Sequence, residues 1–193
     1  VLEPALARAV LRRWLMRVGF GPPDQGRLGR ILDEVLPARV DADPLVAWDG
    51  CEVRRYRDDL FALAPLPAPP EGWTASWDGI GALALPGLLG RLVLSRPVPA
   101  GGPGLRVSLG PGAGASLRCR RAVGPGRSLK ELYQQAGVPP WLRCYVPLIE
   151  RDGRLEVICG VARCGDDAPP VIWEGHPWVA LGVFAVSVPP LAR

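Results

Sequence analysis

The chain has 193 residues, 48% of them hydrophobic, and a formal net charge of +4 at neutral pH. This hydrophobic share exceeds that of disordered chains, so we expect a packed core in one ordinary domain or two small ones. No apolar run is long enough to span a bilayer without an interrupting charge or proline. Arginines scattered through residues 1 to 18 also argue against a secretory signal peptide.

The positive charge is compatible with a polyanionic partner, but it is almost entirely arginine, and Lys130 is the only lysine. Abundant alanine, glycine, proline and arginine indicate a GC-rich genome, so part of the arginine content reflects mutational bias. Raw charge therefore does not by itself predict binding to nucleic acid. The chain opens on Val1 and its single methionine is Met16, which favours a fragment of a longer product.

The cysteines are odd in number, and no two of them have the spacing of a zinc knuckle. We expect all of them to be free, buried thiols in a reducing cytoplasm. His176 lies between Gly175 and Pro177 and has no partner motif, so a catalytic role for it is not predicted. The five cysteines are Cys51, Cys119, Cys144, Cys159 and Cys164.

Two short helices are predicted at the start of the chain. Pro4 suits the first turn of a helix, and Gly19 fits the position just past its end. Asp24 is predicted to cap a second helix, which Pro37 stops. The apolar stripes predicted for the two helices are Leu6, Val10, Leu11, Trp14, Leu15 and Val18, and then Leu28, Ile31, Leu32, Val35 and Leu36.

A β-ribbon is predicted to follow the helices. The apolar run at residues 45 to 48 leads into Asp49-Gly50, a strong hairpin-turn signal, and residues 51 to 56 form the return strand. A third short strand is expected at residues 60 to 63. Residues 1 to 63 are therefore predicted to form a compact α+β unit.

The rest of the chain is predicted to form a linker and a second domain. Residues 64 to 72 are proline-rich and indicate a stiff linker. Candidate strands at residues 83 to 85, 91 to 94 and 105 to 109 are separated by Pro/Gly clusters. We expect residues 73 to 193 to form a small C-terminal α+β domain.

Residues 116 to 161 carry the most informative pattern, in the order strand, helix, hairpin. Polar and apolar residues alternate over residues 116 to 123, as in a half-exposed strand. Ser128 and Glu131 then have the spacing of a capping box, which marks the start of a helix. Two further strands are predicted at residues 145 to 150 and 155 to 161.

The segment from Gly126 to Arg143, with the sequence GRSLKELYQQAGVPPWLR, resembles the signature of the C-terminal domain of tRNA(Ile)-lysidine synthetases. The Pro147-Leu148, Asp152-Gly153 and Gly160-Val161 pairs fill the family's later positions. Two earlier stretches, AVLRRW and CEVRRYRDDL, resemble the family's substrate-binding domain. The resemblance covers residues 1 to about 163, and residues 164 to 193 are not matched.

This resemblance implies a parent enzyme, an ATP-dependent ligase that attaches lysine to the wobble cytidine, C34, of tRNA(Ile) with a CAU anticodon. The family's chemistry lies in an N-terminal domain with an SGGxDS loop, which uses ATP with Mg and lysine. That motif does not occur here, and the glycine-rich segments at residues 101 to 104 and 110 to 114 lack the context of a phosphate loop. We therefore predict no catalytic residue, metal site or cofactor in this chain, and expect a cytoplasmic protein with no membrane partner.

The resemblance also implies that the C-terminal part grips tRNA away from the reacting base, through charge and shape. Arginine suits phosphate because its planar fork gives two parallel hydrogen bonds. Trp141 has two interpretations, stacking on a base or packing after Pro-Pro, and the second is favoured. The predicted tRNA-binding residues are Arg118, Arg120, Arg121, Arg127, Lys130, Trp141 and Arg143, with Arg12, Arg13, Arg54 and Arg55 as secondary candidates.

Two other functions stay open on the sequence alone. The chain is alternatively a stand-alone RNA-binding module that acts without a synthetase domain. It is also compatible with a protein-interaction domain that has no RNA role, in which case the arginines are solvated surface charges. The expected partners are tRNA(Ile) and the N-terminal catalytic domain, and the oligomeric state, with a homodimer as one option, is left open.

Overall fold

A computed structural model describes residues 3–39, 42–96, 104–110, 118–119, 127–175 and 184–187. The chain divides into two compact units. The first comprises Val1–Leu66 and Pro177–Arg193, and the second comprises Pro67–His176. Helices and antiparallel sheets occur together, which confirms the predicted α+β class.

The first unit begins with the two predicted helices. Helix α1 spans Pro4–Arg17, and Gly19 follows it with φ +91°, a conformation that favours glycine. Helix α2 spans Gln25–Arg30 and continues into a π-helical turn at Ile31–Val35. Asp24 caps α2 as predicted, because its carboxylate accepts a hydrogen bond of 2.8 Å from the Arg27 backbone amide.

The buried face of α1 differs from the predicted stripe. Leu11 and Leu15 are buried, and Val18 packs against the same core. Leu6 and Val10, however, are each 50% exposed. At 3.6 residues per turn, these two residues lie roughly a quarter turn or more to one side of the buried line. The predicted stripe is therefore wrong for them.

The sheet of the first unit has the strand order β1-β2-β3-β14, with every neighbouring pair antiparallel. Gly50 takes φ +72° in the β1–β2 turn, in agreement with the predicted Asp49-Gly50 hairpin. The buried side chains of this sheet, among them Val46, Val53 and Leu60, form one core with the buried side chains of the helices. The strands are β1 at Leu45–Trp48, β2 at Cys51–Tyr56, β3 at Asp59–Leu63 and β14 at Phe184–Ser187.

Strand β14 lies outside the unit in which the sequence analysis placed it. Residues 73 to 193 are predicted to be a single C-terminal domain, whereas the structure pairs Phe184 with Ala62 and Ser187 with Asp59. A strand pairing between distant parts of the chain leaves no local signal in the sequence. The C-terminal strand therefore belongs to the first unit, whereas the sequence analysis assigned it to the second.

The second unit is built on a five-stranded antiparallel sheet of order β12-β11-β10-β7-β4. Strand β7, at residues 105–109, has its predicted bounds, whereas β4, at residues 74–77, was not predicted. Strands β10, at residues 147–151, and β11, at residues 154–158, are shorter than the predicted strands at 145 to 150 and 155 to 161. A 3-10 helix at Pro140–Tyr145 occupies the residues just before β10. The strands are β4 at Thr74–Trp77, β7 at Leu105–Leu109, β10 at Pro147–Arg151, β11 at Arg154–Ile158 and β12 at Ala162–Arg163.

Two smaller pieces of sheet complete the described part of the second unit. Strands β5, β6 and β13 form a sheet of order β13-β6-β5, at Leu83–Ala84, Arg91–Leu94 and Val171–Glu174. Strands β8 and β9, at Arg118–Cys119 and Arg127–Ser128, form a two-stranded ribbon that leads into helix α3 at Leu129–Gln135. The predicted strand at residues 116 to 123 is described only at β8, and its other residues lie outside the described part.

The cysteines are only partly as predicted. Cys51, Cys144 and Cys159 are free, but Cys119 and Cys164 are joined by a disulfide. The two partners are separated by 45 residues, so no spacing motif pointed to the pair. Among the described residues, no helix reaches the length and hydrophobicity that crossing a bilayer requires.

Candidate nucleic-acid interface

The start of α3 is held by a reciprocal capping box. The Ser128 hydroxyl accepts a hydrogen bond of 3.3 Å from the Glu131 amide, and the Glu131 carboxylate accepts one of 2.8 Å from the Ser128 amide. Leu129, Leu132 and Tyr133 are buried on the inner side of this helix. The predicted capping box is therefore confirmed, and it fixes the direction of the first turn.

Two of the predicted site residues, Arg127 and Lys130, are exposed at this first turn. Arg127 lies in β9, just before the cap residue Ser128, and its guanidinium donates a hydrogen bond of 2.9 Å to the side-chain oxygen of Gln135. This contact orients the guanidinium, and a guanidinium has five N–H groups in all, so one hydrogen bond does not exhaust its donors. The structure thus places two cations three residues apart on a well-supported turn.

Arg143 takes a different position from these two cations. Its Nε donates a hydrogen bond of 3.1 Å to the Val138 carbonyl, and its guanidinium carbon lies 5.7 Å from the centroid of the Tyr133 ring. Arg143 is half-buried. Burial raises the pKa of the Tyr133 hydroxyl, which therefore stays a neutral phenol. Arg143 holds the turn after α3 against the helix.

Trp141 lies in the 3-10 helix and is half-buried. Its carbonyl accepts a weak hydrogen bond of 3.6 Å from the Cys144 thiol. Strand β7 ends close to the same helix, because a Cβ on Gly110 would lie 2.8 Å from the Cα of Cys144. Gly110 also has φ +62°, so glycine is required there both for space and for backbone conformation.

The remaining predicted residues of the basic strand are described only in part. The backbone of Arg118 pairs with that of Ser128 in the ribbon. Arg120 and Arg121 lie outside the described residues. The role of this strand in binding therefore stays a prediction.

Two of the secondary candidates, Arg54 and Arg55, form hydrogen bonds within the first unit. The Arg54 side chain is 15% exposed and bonds to Glu52 at 3.0 Å and to Asp43 at 3.1 Å. Arg55 donates to the carbonyls of Leu36 and Ala38 at the end of the π-helical turn. Both arginines therefore have partners within the described part of the first unit.

The other two secondary candidates lie on α1. Arg12 is half-buried, whereas Arg13 is exposed. Within the described residues, no group of three or more His, Cys, Asp or Glu side chains is arranged to hold a metal ion.

One feature of this region was missed by the sequence analysis: the disulfide that joins the ribbon to the chain after β12. Cys119 lies opposite Arg127 in the ribbon, and Cys164 follows β12. An odd number of cysteines without motif spacing offered no signal for this pair.

Comparison with known proteins defines the class of the chain. The family model described as the TilS substrate binding domain matches residues 1–61, and the one described as the TilS substrate C-terminal domain matches residues 107–168. The chain thus combines a segment that matches the first of these domain models with a segment that matches the second. It belongs to the tRNA(Ile)-lysidine synthase family and matches the C-terminal portion of its relatives.

The relatives named tRNA(Ile)-lysidine synthase include proteins from three bacteria. The one from Alkalilimnicola ehrlichii is 37% identical over 85% of this chain and 37% of its own length. The one from Methylococcus capsulatus is 36% identical over 82% of the chain and 37% of its own length. The one from Xylella fastidiosa strain 9a5c is 35% identical over 88% of the chain and 38% of its own length. The chain therefore spans little more than a third of the length of these relatives.

Proposed function

We propose that this chain is the tRNA-binding portion of a tRNA(Ile)-lysidine synthase. The parent enzyme is proposed to be an ATP-dependent ligase that attaches lysine to C34 of tRNA(Ile) with a CAU anticodon. The observation that carries the proposal is the exposed pair Arg127 and Lys130, held by a capping box within the segment that the C-terminal family model matches.

The proposed contacts are made to the phosphates of a tRNA stem. A duplex offers phosphates at high density, and a helix turn that is fixed by its cap presents Arg127 and Lys130 to them at little further cost in backbone conformational entropy. Arg118, Arg120 and Arg121 are proposed to extend this cationic surface along the strand before α3. Arg143 is proposed to act indirectly, by holding the turn that carries Trp141.

The chain itself is proposed to supply positioning and no chemistry. Holding the body of the tRNA orients the anticodon at a distant reaction centre, which turns an encounter into an almost intramolecular step. ATP with Mg and lysine are assigned to the catalytic domain of the parent enzyme, which is one proposed partner besides tRNA(Ile). A cytoplasmic location follows from this substrate, and a homodimer remains one option for the assembly.

The experiment is a salt titration of binding between the 193-residue chain and a tRNA(Ile) transcript with a CAU anticodon. We expect Lys130→Glu to weaken binding about tenfold and to lower the slope of log affinity against log salt by about one. Arg154→Glu is the matched control, because Arg154 is exposed in the same unit and lies outside the proposed site. Equal losses for both variants would show that only net charge matters.

The competing functions give different results in the same assay. Affinity no better than millimolar at low salt would reject RNA binding and favour a protein-interaction domain. Tight binding by a chain whose gene lacks an SGGxDS motif upstream in the same reading frame would favour a stand-alone RNA-binding module. Tight binding together with that motif supports the proposal.

A further inference from the structure

Arg127 is held by a side chain from the far end of helix α3. Arg127 lies just before the cap residue Ser128, whereas Gln135 is the last residue of the helix. The Arg127 guanidinium donates a hydrogen bond of 2.9 Å to the side-chain oxygen of Gln135, eight residues further along the chain. Both residues are exposed, so the arginine side chain extends along the outer side of α3.

The chemistry of the two groups determines how the Gln135 amide is oriented. A guanidinium has N–H donors and no acceptor, so only the amide oxygen can bond to it. The oxygen occupies one donor of Arg127, and the arginine side chain is thereby restricted to the rotamers that reach Gln135. Gln135 thus limits the motion of the guanidinium without using all of its donors.

Gln135 also holds the arginine without cancelling its charge. Two other exposed arginines of the described part of the chain bond to carboxylates instead, Arg30 to Glu34 at 3.0 Å and Arg91 to Glu174 at 2.8 Å. A carboxylate beside a guanidinium repels an approaching phosphate, whereas a neutral amide carries no net charge to do so. A glutamine is therefore a better support than an acid for an arginine that binds phosphate.

The carboxylate that is nearest to Arg127 along the chain belongs to Glu131, and it bonds to the backbone. It accepts a hydrogen bond of 2.8 Å from the Ser128 amide, as part of the capping box. The cap thus fixes the direction of the Glu131 side chain, and the guanidinium bonds to the neutral Gln135 amide.

We propose that Gln135 is a positioning residue for tRNA binding, which holds the Arg127 guanidinium in a fixed orientation and with its full charge for a phosphate of the tRNA stem. This inference rests on the proposed function of the chain and adds a residue that the sequence analysis did not single out. Arginine loses much rotamer freedom when it is immobilised by a ligand. An arginine that is already held binds at a lower entropic cost.

The first test is Gln135→Met, which removes the amide and keeps a side chain of similar length and helix propensity. We expect this variant of the 193-residue chain to bind the tRNA(Ile) transcript about threefold more weakly, which is the effect of losing one net hydrogen bond. The slope of log affinity against log salt should stay that of the wild type, because Arg127 keeps its charge. Gln25→Met is the matched control, since Gln25 is exposed on α2 of the first unit, and it should not change the affinity.

Gln135→Glu tests the importance of a neutral support. A carboxylate still accepts the hydrogen bond from Arg127, but it adds a negative charge beside the guanidinium. Binding should weaken about tenfold, and the salt slope should fall by about one. Wild-type affinity in this variant would overturn the proposal, because any acceptor would then serve as well as the amide.

A double-mutant cycle shows whether Gln135 acts through Arg127. Arg127→Met alone should lower the affinity and reduce the salt slope by about one. In that background Gln135→Met should have almost no further effect, because no guanidinium is left to hold. The proposal fails if Gln135→Met weakens binding equally in both backgrounds, or if its loss of affinity is accompanied by a lower melting temperature.

The same assay distinguishes this inference from the proposed function. If the wild type binds tRNA and Arg127→Met lowers the slope, but Gln135→Met binds like the wild type, the positioning role is overturned and tRNA binding stands. Affinity of the wild type no better than millimolar at low salt would overturn the proposed function, and the positioning role with it.

Discussion

Each unit contains a pair of basic residues, and the two pairs have different surroundings. In the first, Arg54 and Arg55 turn inward, to carboxylates and to backbone carbonyls. In the second, Arg127 and Lys130 remain exposed on a capped helical turn. The contrast shows that arginine content is a poor guide to a phosphate-binding surface, since guanidinium groups also satisfy the carbonyls at helix ends. Four predictions test this contrast, from the largest expected effect to the smallest.

Arg55→Ala should destabilise the first unit by about 2 kcal/mol, because it leaves the carbonyls of Leu36 and Ala38 without a charged donor. The measurement is chemical denaturation, with Arg13→Ala as an exposed control in the same unit. The slope of tRNA affinity against salt should not change. A lower slope with unaltered stability would mean that Arg55 contacts RNA after all.

Arg143→Gln should destabilise the second unit by about 1 to 2 kcal/mol, through loss of the hydrogen bond to Val138 and of the contact with the Tyr133 ring. Its salt slope for tRNA should equal that of the wild type, whereas Lys130→Gln should lower the slope by about one. If Arg143→Gln lowered the slope as much as Lys130→Gln, the predicted phosphate contact of Arg143 would be supported.

Ser128→Ala should lower the free energy of unfolding by about 1 kcal/mol, because it removes half of the capping box. Ser76→Ala on β4 is the matched control, since Ser76 is exposed and should be nearly neutral. Thermal unfolding of both variants is the measurement. Equal effects would show that the capping box contributes nothing measurable.

The smallest effect concerns acid stability of the first unit. The hydrogen bond from the Arg27 amide lowers the pKa of Asp24, and the side-chain hydrogen bond from Arg30 lowers that of Glu34. Both folded pKa values lie below the ordinary ones, 3.8 and 4.5. The stabilisation is therefore present above those values and is lost as pH falls through the folded pKa values.

We accordingly expect the melting temperature of the wild type to fall more between roughly pH 5 and pH 3 than that of the Asp24→Asn, Glu34→Gln variant. Both carboxylates are on the surface, so added salt should reduce the difference. The opposite order of the two pH profiles would contradict the assigned direction of these pKa shifts.

Much of the local structure was predictable because its signals are local. The bounds of β1, β2, β6 and β7 agree with prediction, and both predicted caps, Asp24 and Ser128, form. Turns and caps depend on a few adjacent residues, so the sequence carries them directly. Strand β4, with a polar face at Thr74 and Ser76, offered no apolar run and was missed.

The candidate site was predictable as a segment but not residue by residue. Family resemblance indicated residues 116 to 161, and the capped helix within it formed as expected. Whether a given cation faced solvent depended on its neighbours in space. Arg143 is half-buried against the turn after α3, whereas Lys130 is exposed. Sequence spacing alone did not predict this difference.

The sequence by itself determined the family, the α+β class, the helix caps and the order of hairpins, because these follow from patterns within short windows. Only the tertiary structure decided which arginines are exposed, that β14 pairs with β3, and that Cys119 meets Cys164. The two pairings join groups that are distant along the chain and become neighbours only when the fold assembles. The exposure of an arginine depends on which groups pack around its side chain.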